Sequence, residues 1–260
     1  MLAAAQEALR AAGRDEEAIT VNQRALIDKI LARYAAEFTV FRELLQNADD
    51  AGASECELRF AADGRADPAA PLTQWTFRNN GKPFSGDDWN RLRRIAEGNP
   101  DPERIGAFGV GFYSLFSVCE EPIVASGAEL LGFFWKGDAL FTRRASAPAP
   151  ALSASGAPWT TFFMALREPT PFPESPLALC RFLATSLTFT TGVRRVALFL
   201  DDVQLCAFEK HVGAPEPLAV SRHLDRRSPA RLFAAGDVCT TDVRIDAHIA
   251  PLILTEAAAE

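Results

Sequence analysis

Three short stretches carry residue types that chemistry uses. The first, Phe41-Arg42-Glu43-Leu44-Leu45-Gln46-Asn47-Ala48-Asp49-Asp50, reads as a helix. At 3.6 residues per turn, Phe41, Leu44, Leu45 and Ala48 share one side, and Glu43, Asn47 and Asp50 share the opposite one. Alone, that is equally the pattern of a helix with a core face and a solvated face. The second, Asn79-Asn80-Gly81-Lys82-Pro83-Phe84, is a turn signal directly after a strand. The third, Gly106-Ala107-Phe108-Gly109-Val110-Gly111-Phe112, precedes a helix. Glycines there let backbone N–H groups approach a phosphate, and a helix N-terminus favours anions. Tight packing turns use glycines too. The spacing G-x-x-G-x-G is not the dinucleotide fingerprint G-x-G-x-x-G, and the absence of G-x-x-x-x-G-K-[ST] from the chain excludes a P-loop.

These residues need elements to hold them. Val21 to Asp50 reads as two helices broken near Phe38–Thr39, with Gly52 stopping the second. Ser54–Phe60 and Thr73–Arg78 read as strands joined by the polar loop Ala61–Pro71. Ser85 with Asp88 is a capping-box signature, opening a helix whose stripe is Trp89, Leu92 and Ala96. A loop over Gly98–Pro102 precedes the glycine-rich turn, and a helix is predicted from there through Val118. Strands are predicted at Pro122–Ser126, Glu129–Lys136, Ala139–Arg143 and Trp159–Leu166, then a helix over Leu177–Leu187. Val196–Asp201 and Val203–Phe208 form a predicted hairpin. Residues 145–158, almost all Ala, Ser, Pro and Gly, predict a mobile loop that buries no core. Residues 1–13 read as an Ala-rich helix and 14–20 as an acidic connector. Beyond the hairpin, Arg231–Ala235 and Asp242–Ile249 read as strands that extend the sheet or begin a second domain.

Composition bounds the answer. With 260 residues, 48% apolar and 23% charged, the chain supports one large domain or two small ones and is not wholly disordered. A net charge of −7 argues against a broad basic surface coating nucleic acid. No apolar run approaches the ~18 residues of a membrane span. The opening Met1-Leu2-Ala3-Ala4-Ala5 is interrupted by Gln6, Glu7 and Arg10 too early for a signal peptide. Cys56, Cys119, Cys180, Cys206 and Cys239 are scattered, odd in number and without C-x-x-C. They predict neither a zinc site nor a disulfide framework, and a reducing compartment, cytoplasm or nucleus.

Taken together and in order, the three stretches resemble the GHKL ATPase superfamily, whose nucleotide site is the Bergerat fold. That family includes the ninety-kilodalton heat-shock chaperones, gyrase B subunits, MutL proteins and sensor histidine kinases. Its order is a helix bearing Glu, Asn and Asp, a strand ending in Asp-x-Gly, a lid and a glycine box. Here the order is Glu43-x-x-x-Asn47-x-x-Asp50, Asn79-x-Gly81 and Gly106-x-x-Gly109-x-Gly111. Gly109-Val110-Gly111-Phe112-Tyr113-Ser114 is similar to the chaperones. The run from Arg42 to Ala53 is still more similar to sacsin and the No-Vein-like proteins. Val21–Lys29 and Trp135–Phe141 resemble one branch, very large eukaryotic proteins with an N-terminal sacsin-like ATPase domain. The resemblance covers about residues 20–210. It implies an N-terminal extension over 1–20, an ATP-binding domain over 21–210, and an extension or further segment over 211–260. The implied fold is an α/β (α+β) two-layer sandwich: a mixed, mostly antiparallel sheet with helices on one face and ATP between the layers.

The resemblance also implies roles. Glu43 would be the general base for the attacking water, a role typically worth 10²–10⁴-fold. Asn47 would hold Mg²⁺ through its amide oxygen, which suits an ion that keeps several waters. Asp50 would act nearby, through water or the adenine-side network. Gly106, Gly109 and Gly111 would close on the phosphates, with Val110 between them. Thr160 matches a threonine near the adenine, or is a strand threonine. Phe84 and Phe112 line the base pocket or belong to the core. Arg104 reaches a phosphate or is solvated. Lys136 is a candidate phosphate sensor or a surface strand lysine.

Two departures matter. Asn79 stands where the family carries an Asp that accepts from the adenine amine. A charged acceptor is worth ~1.5–3 kcal/mol and a neutral one ~0.5–1.5, so weaker binding by about 1 kcal/mol is expected, with relaxed base choice. The lid is short, so slow hydrolysis and fast nucleotide exchange are expected. The family often gains activity on dimerisation or from downstream segments. No histidine precedes Glu43, so the phosphoacceptor of a sensor kinase is not supplied. The basic cluster Arg222, Arg226 and Arg227 reads as a solvated loop, without clear nucleic-acid binding. The expectation is a Mg-ATP-binding domain of slow turnover that drives conformational change for a protein client or downstream domains. A nucleotide-binding pseudo-ATPase module and a plain protein-interaction domain are the alternatives.

Overall fold

The computed structural model describes residues 7, 21–32, 38–93, 111–146, 153, 156–172, 175–217 and 239–251. Helix α1 (Gln23–Leu31) opens on Asn22, whose side chain accepts the Ala25 N–H. Helix α2 (Thr39–Asp50) starts after Phe38, which sits in the left-handed region at φ 59°, where the sequence predicts the break. Its apolar stripe Val40, Phe41, Leu44, Leu45 and Ala48 is buried. The helix ends in a Schellman motif: Gly52 takes φ 72° and donates to the Asp49 carbonyl at 2.9 Å, and the Ala53 N–H reaches the Ala48 carbonyl at 3.0 Å.

The strands are β1 (Glu55–Ala61), β2 (Leu72–Asn79), β3 (Ile123–Ser126), β4 (Glu129–Lys136), β5 (Ala139–Ser146), β6 (Thr160–Thr170), β7 (Arg195–Leu200), β8 (Val203–Val212), β9 (Glu216–Pro217), β10 (Cys239–Thr240) and β11 (Val243–Ile249). Nine form one sheet in the order β11-β8-β7-β1-β2-β6-β3-β4-β5, and β9 pairs with β10 apart from it. Neighbours in the sheet are antiparallel except β1 and β7, which run parallel. Helix α3 (Gly86–Arg91) follows β2 and carries the predicted capping box of Ser85 and Asp88. Helix α4 (Pro176–Phe189) opens on Ser175, which accepts the Ala178 N–H. The β7–β8 turn is Asp201-Asp202, both at positive φ (45° and 66°), as a two-residue hairpin requires. This is the expected mixed, mostly antiparallel sheet of an α+β sandwich.

The helices cover one face. Phe41 of α2 meets Trp75 at a centroid distance of 4.9 Å and Phe60 at 5.9 Å. Leu58, Phe60 and Phe77 from β1 and β2, Leu179 and Leu183 from α4, and Val196 and Leu198 from β7 are buried in the same cluster. Each such aliphatic or aromatic side chain contributes about 1.5–3 kcal/mol by leaving water.

Some expectations need correction. The helix predicted through Val118 is a 3-10 helix, Gly111–Ser117. Ala145 and Ser146 lie in β5, paired with Leu130 and Glu129. Ser153 is buried, with its N–H on the Ala157 carbonyl at 2.8 Å across a turn made by Gly156 at φ 79°. The small residues of 145–158 therefore supply strand pairing and a satisfied turn at these positions. Strand β6 runs on to Thr170. Val243–Ile249 extends the sheet along β8. The expectations for 1–6, 8–20, Ala96, 98–102, Arg222, Arg226, Arg227 and Arg231–Ala235 lie outside the described residues. Among the described residues no helix is long and apolar enough to cross a membrane.

Candidate functional site

The site is assembled around α2. Glu43, Asn47 and Asp50 lie on this helix away from its buried stripe: Glu43 and Asp50 are half-buried and Asn47 is exposed. The Schellman turn then delivers the chain into β1. Strand β2, antiparallel to β1, returns it to the same end, where Cys56 pairs with Asn79.

The Asn79-Asn80-Gly81 turn is strapped to that junction. Asn80 Oδ1 accepts the N–H groups of Ser54 and Glu55, both at 2.9 Å. Its Nδ2 donates to Ser54 Oγ at 3.0 Å. The Lys82 N–H donates to the Ala51 carbonyl at 3.0 Å. Gly81 lies against the end of α2: a Cβ there would stand 2.9 Å from Ala51 Cβ and 3.0 Å from Asn79 Oδ1, so a side chain does not fit. The Gly81 N–H donates to Asn79 Oδ1 at 3.0 Å, which fixes the Asn79 amide.

The third stretch meets the same helix. A Cβ on Gly111 would overlap Glu43 Oε2 and lie 3.3 Å from Glu43 Cδ. Gly111 thus leaves room for the Glu43 carboxylate. Burial pushes that carboxyl above its ordinary range, against the opposing charge of Arg42. This is the direction a general base working near neutral pH needs. Tyr113 donates its hydroxyl to the Leu92 carbonyl at 3.0 Å, tying the 3-10 helix to the end of α3.

Thr160 faces Asn79 across the β2–β6 ladder. Both are buried. The Thr160 and Ser126 hydroxyls share a 2.6 Å hydrogen bond, and the Phe84 N–H donates to Ser126 Oγ at 2.9 Å. Ser126 is a polar neighbour that sequence reasoning missed. Phe84 packs on Trp89 at 5.0 Å, and Phe112 on Phe133 at 5.0 Å, so both rings join the core. Lys136 is exposed at the end of β4, with Nζ 4.9 Å from the Phe141 ring centre, which makes it a surface strand lysine. The structure therefore places Glu43 against Gly111, Gly81 against the end of α2 and beside Asn79, and Thr160 opposite Asn79, with Asn47 and Asp50 on the same helix as Glu43. Arg104, Gly106, Gly109, Val110 and the lid lie outside the described residues.

Asp49 is a second omission. Its Oδ2 accepts the Thr191 N–H at 2.8 Å and hydroxyl at 2.7 Å, and its Oδ1 accepts the Gly192 and Val193 N–H groups at 2.7 and 2.9 Å. Burial alone would raise this carboxyl; the four donors outweigh it and hold it below the usual range. Asp49 thereby clamps the end of α2 to the loop between α4 and β7. The sequence carries no local signal for a partner so distant.

Glu43, Asn47, Gly81 and Gly111 are the described residues that could meet a nucleoside triphosphate and magnesium. They combine a carboxylate of raised pKa, an exposed amide on the same helix, and two glycines at which a side chain would fill the space. Among the described residues no three His, Cys, Asp or Glu side chains converge on one point. A magnesium ion held by one amide and phosphate oxygens needs no such cluster.

Comparison with known proteins divides the chain. Residues 20–135 match the family model of the Sacsin domain. Residues 187–260 match a family described as a protein of unknown function (DUF3684). Sacsin of Homo sapiens is 33% identical over 120 residues, which cover 41% of this chain and 3% of that protein. The chain thus spans a small fraction of that relative's length, and the stretch from α1 to β4 is sacsin-like. The two matched stretches share one sheet, since β7 lies parallel to β1.

Proposed function

We propose that this chain is a Mg-ATP-binding domain of the GHKL type, hydrolysing ATP slowly to drive conformational change in a larger chaperone-like or scaffold protein. One observation carries the reading. Three stretches distant in sequence meet on α2: Glu43 against Gly111, and Ala51 against Gly81. Gly81 sits where a Cβ would press on Ala51, and Gly111 sits where a Cβ would displace the Glu43 carboxylate.

Glu43 would take a proton from the attacking water, and its burial raises its proton affinity above the ordinary carboxylate range. Asn47 would hold magnesium through its amide oxygen, with Asp50 ordering water beside it. Bound magnesium would neutralise charge on the phosphate oxygens. Asn79, Gly81 and Thr160 would face the base. Arg104, Gly106, Gly109, Val110 and Gly111 would form the phosphate side.

A second reading, a nucleotide-binding pseudo-ATPase acting as a regulatory or interaction module, is favoured by Asn79. Its uncharged Oδ1 already accepts the Gly81 N–H, which leaves one lone pair for a base amine. Calorimetric titration with ATP and Mg²⁺ tests the common core of both readings. A saturable one-to-one signal that vanishes in Asn47→Ala is the expected outcome. Absence of heat and of thermal stabilisation at millimolar ATP would remove both.

A further inference from the structure

Outside the nucleotide site the chain holds a second reactive arrangement. Cys180 lies in the second turn of α4, and Cys206 lies in β8 opposite Leu198 of β7 and Ile249 of β11. The helix layer and the sheet meet at this point. The two thiols are hydrogen-bonded to each other, Sγ to Sγ, at 3.1 Å. Both are buried among apolar neighbours and both are free. A disulfide needs its sulfurs about 2.05 Å apart, so about 1 Å of approach separates this pair from a covalent bond. The other cysteines are placed differently. Cys119 Sγ is on the Leu115 carbonyl at 3.3 Å, Cys56 is buried and bonded to neither, and Cys239 is exposed.

We propose that Cys180 and Cys206 are an oxidisable dithiol, a modification site at which a small peroxide installs a disulfide between α4 and β8. The Cys180 sulfur, as thiolate, attacks one oxygen of hydrogen peroxide. The O–O bond breaks, Cys180 becomes a sulfenic acid, and the departing hydroxide takes a proton and leaves as water. The Cys206 sulfur then displaces the sulfenic hydroxyl, which leaves with the Cys206 proton as a second water. The two sulfurs lose two electrons and the peroxide gains them.

The order of attack follows from the pair. The hydrogen bond that the two thiols share holds the Cys180 thiol below its ordinary range, against burial. The same hydrogen bond and burial push Cys206 up. Burial sets the oxidant class: neither sulfur is open to a peptide disulfide, whereas hydrogen peroxide is small and neutral. The consequence is mechanical. The far end of α4 is already fastened, because Lys210 Nζ donates to the Thr188 and Thr190 carbonyls and Asp49 holds Thr191 to Val193. A bond at Cys180 would staple the near end as well.

The test uses the 260-residue chain carrying Cys239→Ser, which removes the exposed thiol and leaves the buried pair intact. The protein is treated with excess hydrogen peroxide, quenched, unfolded, alkylated with N-ethylmaleimide and digested. The expected result is an intact mass lower by two hydrogens before alkylation, and a dithiothreitol-sensitive link between the peptides of Cys180 and Cys206 after digestion. Cys56 and Cys119 should carry the maleimide. The melting temperature should rise on oxidation and return on reduction. Alkylation of Cys180 and Cys206 as complete as that of Cys56, sulfinic acid at either, or a link to a different cysteine would overturn the proposal. A linked pair with an unchanged melting temperature would overturn the stapling.

Discussion

The two faces of the nine-stranded sheet are built by opposite means. The face under the helices buries Leu58, Phe60, Trp75 and Phe77, and it ends in the polar pair Asn79 and Thr160 at the site. The opposite face carries Glu55, Glu57, Arg59, Thr76, Arg78 and Arg195 at the alternate positions. Yet Glu55 and Glu57 are only 7% and 6% exposed. Arginine covers them. Arg78 and Arg59 both bond Glu57 Oε2, at 2.6 and 2.8 Å, and Arg195 bonds Glu55 at 2.6 Å. The guanidinium of Arg78 lies over Trp159 and that of Arg59 over Phe199. A buried carboxylate is tolerated when charge and hydrogen bonds surround it, so alternation alone does not say which side of a strand is wet. The open face also holds grooves of about 940 and 700 Å³, while the three motif stretches converge on the other face.

The sharpest way to break this comparison is turnover. If the helix face is catalytic, Glu43→Ala should lower the ATP hydrolysis rate by roughly 10²–10⁴-fold while calorimetric binding persists. Arg78→Ala, on the other face, should leave the rate of the folded protein unchanged. Equal losses in both would show that the faces are not functionally distinct.

Stability should invert that ranking. Arg78→Ala leaves Glu57 buried with Arg59 still bonded to it. Breaking a buried pair outright costs about 3–5 kcal/mol, and the retained partner brings the expected loss to about 2 kcal/mol in urea unfolding. Glu57→Gln in the Arg78→Ala background should recover part of it, because the uncompensated charge is gone. No recovery would mean that the lost stability lies in Arg78 packing on Trp159.

Asp49 joins the end of α2 to the loop between α4 and β7 and has a pH signature. Its folded pKa lies below the ordinary 3.8, so its stabilisation is present above the unfolded value and disappears as pH falls through the folded one. Hydrogen bonds to a charged group are worth ~1.5–3 kcal/mol before solvent screening, so Asp49→Asn should cost about 1 kcal/mol at pH 7. The gap between variant and parent should close in acid below about pH 4. A gap constant from pH 7 to pH 3 would assign the effect to packing rather than charge.

What was legible followed from local signals. The break at Phe38, the stop at Gly52, the capping box at Ser85 and the hairpin turn at Asp201-Asp202 depend on residues a few positions apart. Glu43, Asn47 and Asp50 were legible as one helix face for the same reason. The parallel pairing of β1 with β7, the Asp49 clamp on Thr191–Val193, the Glu57–Arg78 pair and the Cys180–Cys206 contact join distant segments, and each partner alone is unremarkable in sequence. The contact of Glu43 with Gly111 belongs to both kinds. The order of motifs anticipated the meeting, but the fit of a glycine against a carboxylate needed the fold.

The smallest expected effect tests the helix face at its polar end. Asn79 spends one lone pair of Oδ1 on the Gly81 N–H and carries no charge. Asn79→Asp would give that N–H a charged acceptor and leave a carboxylate oxygen for the base amine. The gain from neutral to charged acceptor is about 1 kcal/mol, so ATP should bind about fivefold to tenfold more tightly. An acceptor-only side chain repels the guanine carbonyl, so the ATP-to-GTP affinity ratio should rise by at least as much. Paired calorimetric titrations of parent and variant with each nucleotide measure both. If the ratio does not move, the base does not meet position 79, and the end of β2 serves only to strap the turn against α2.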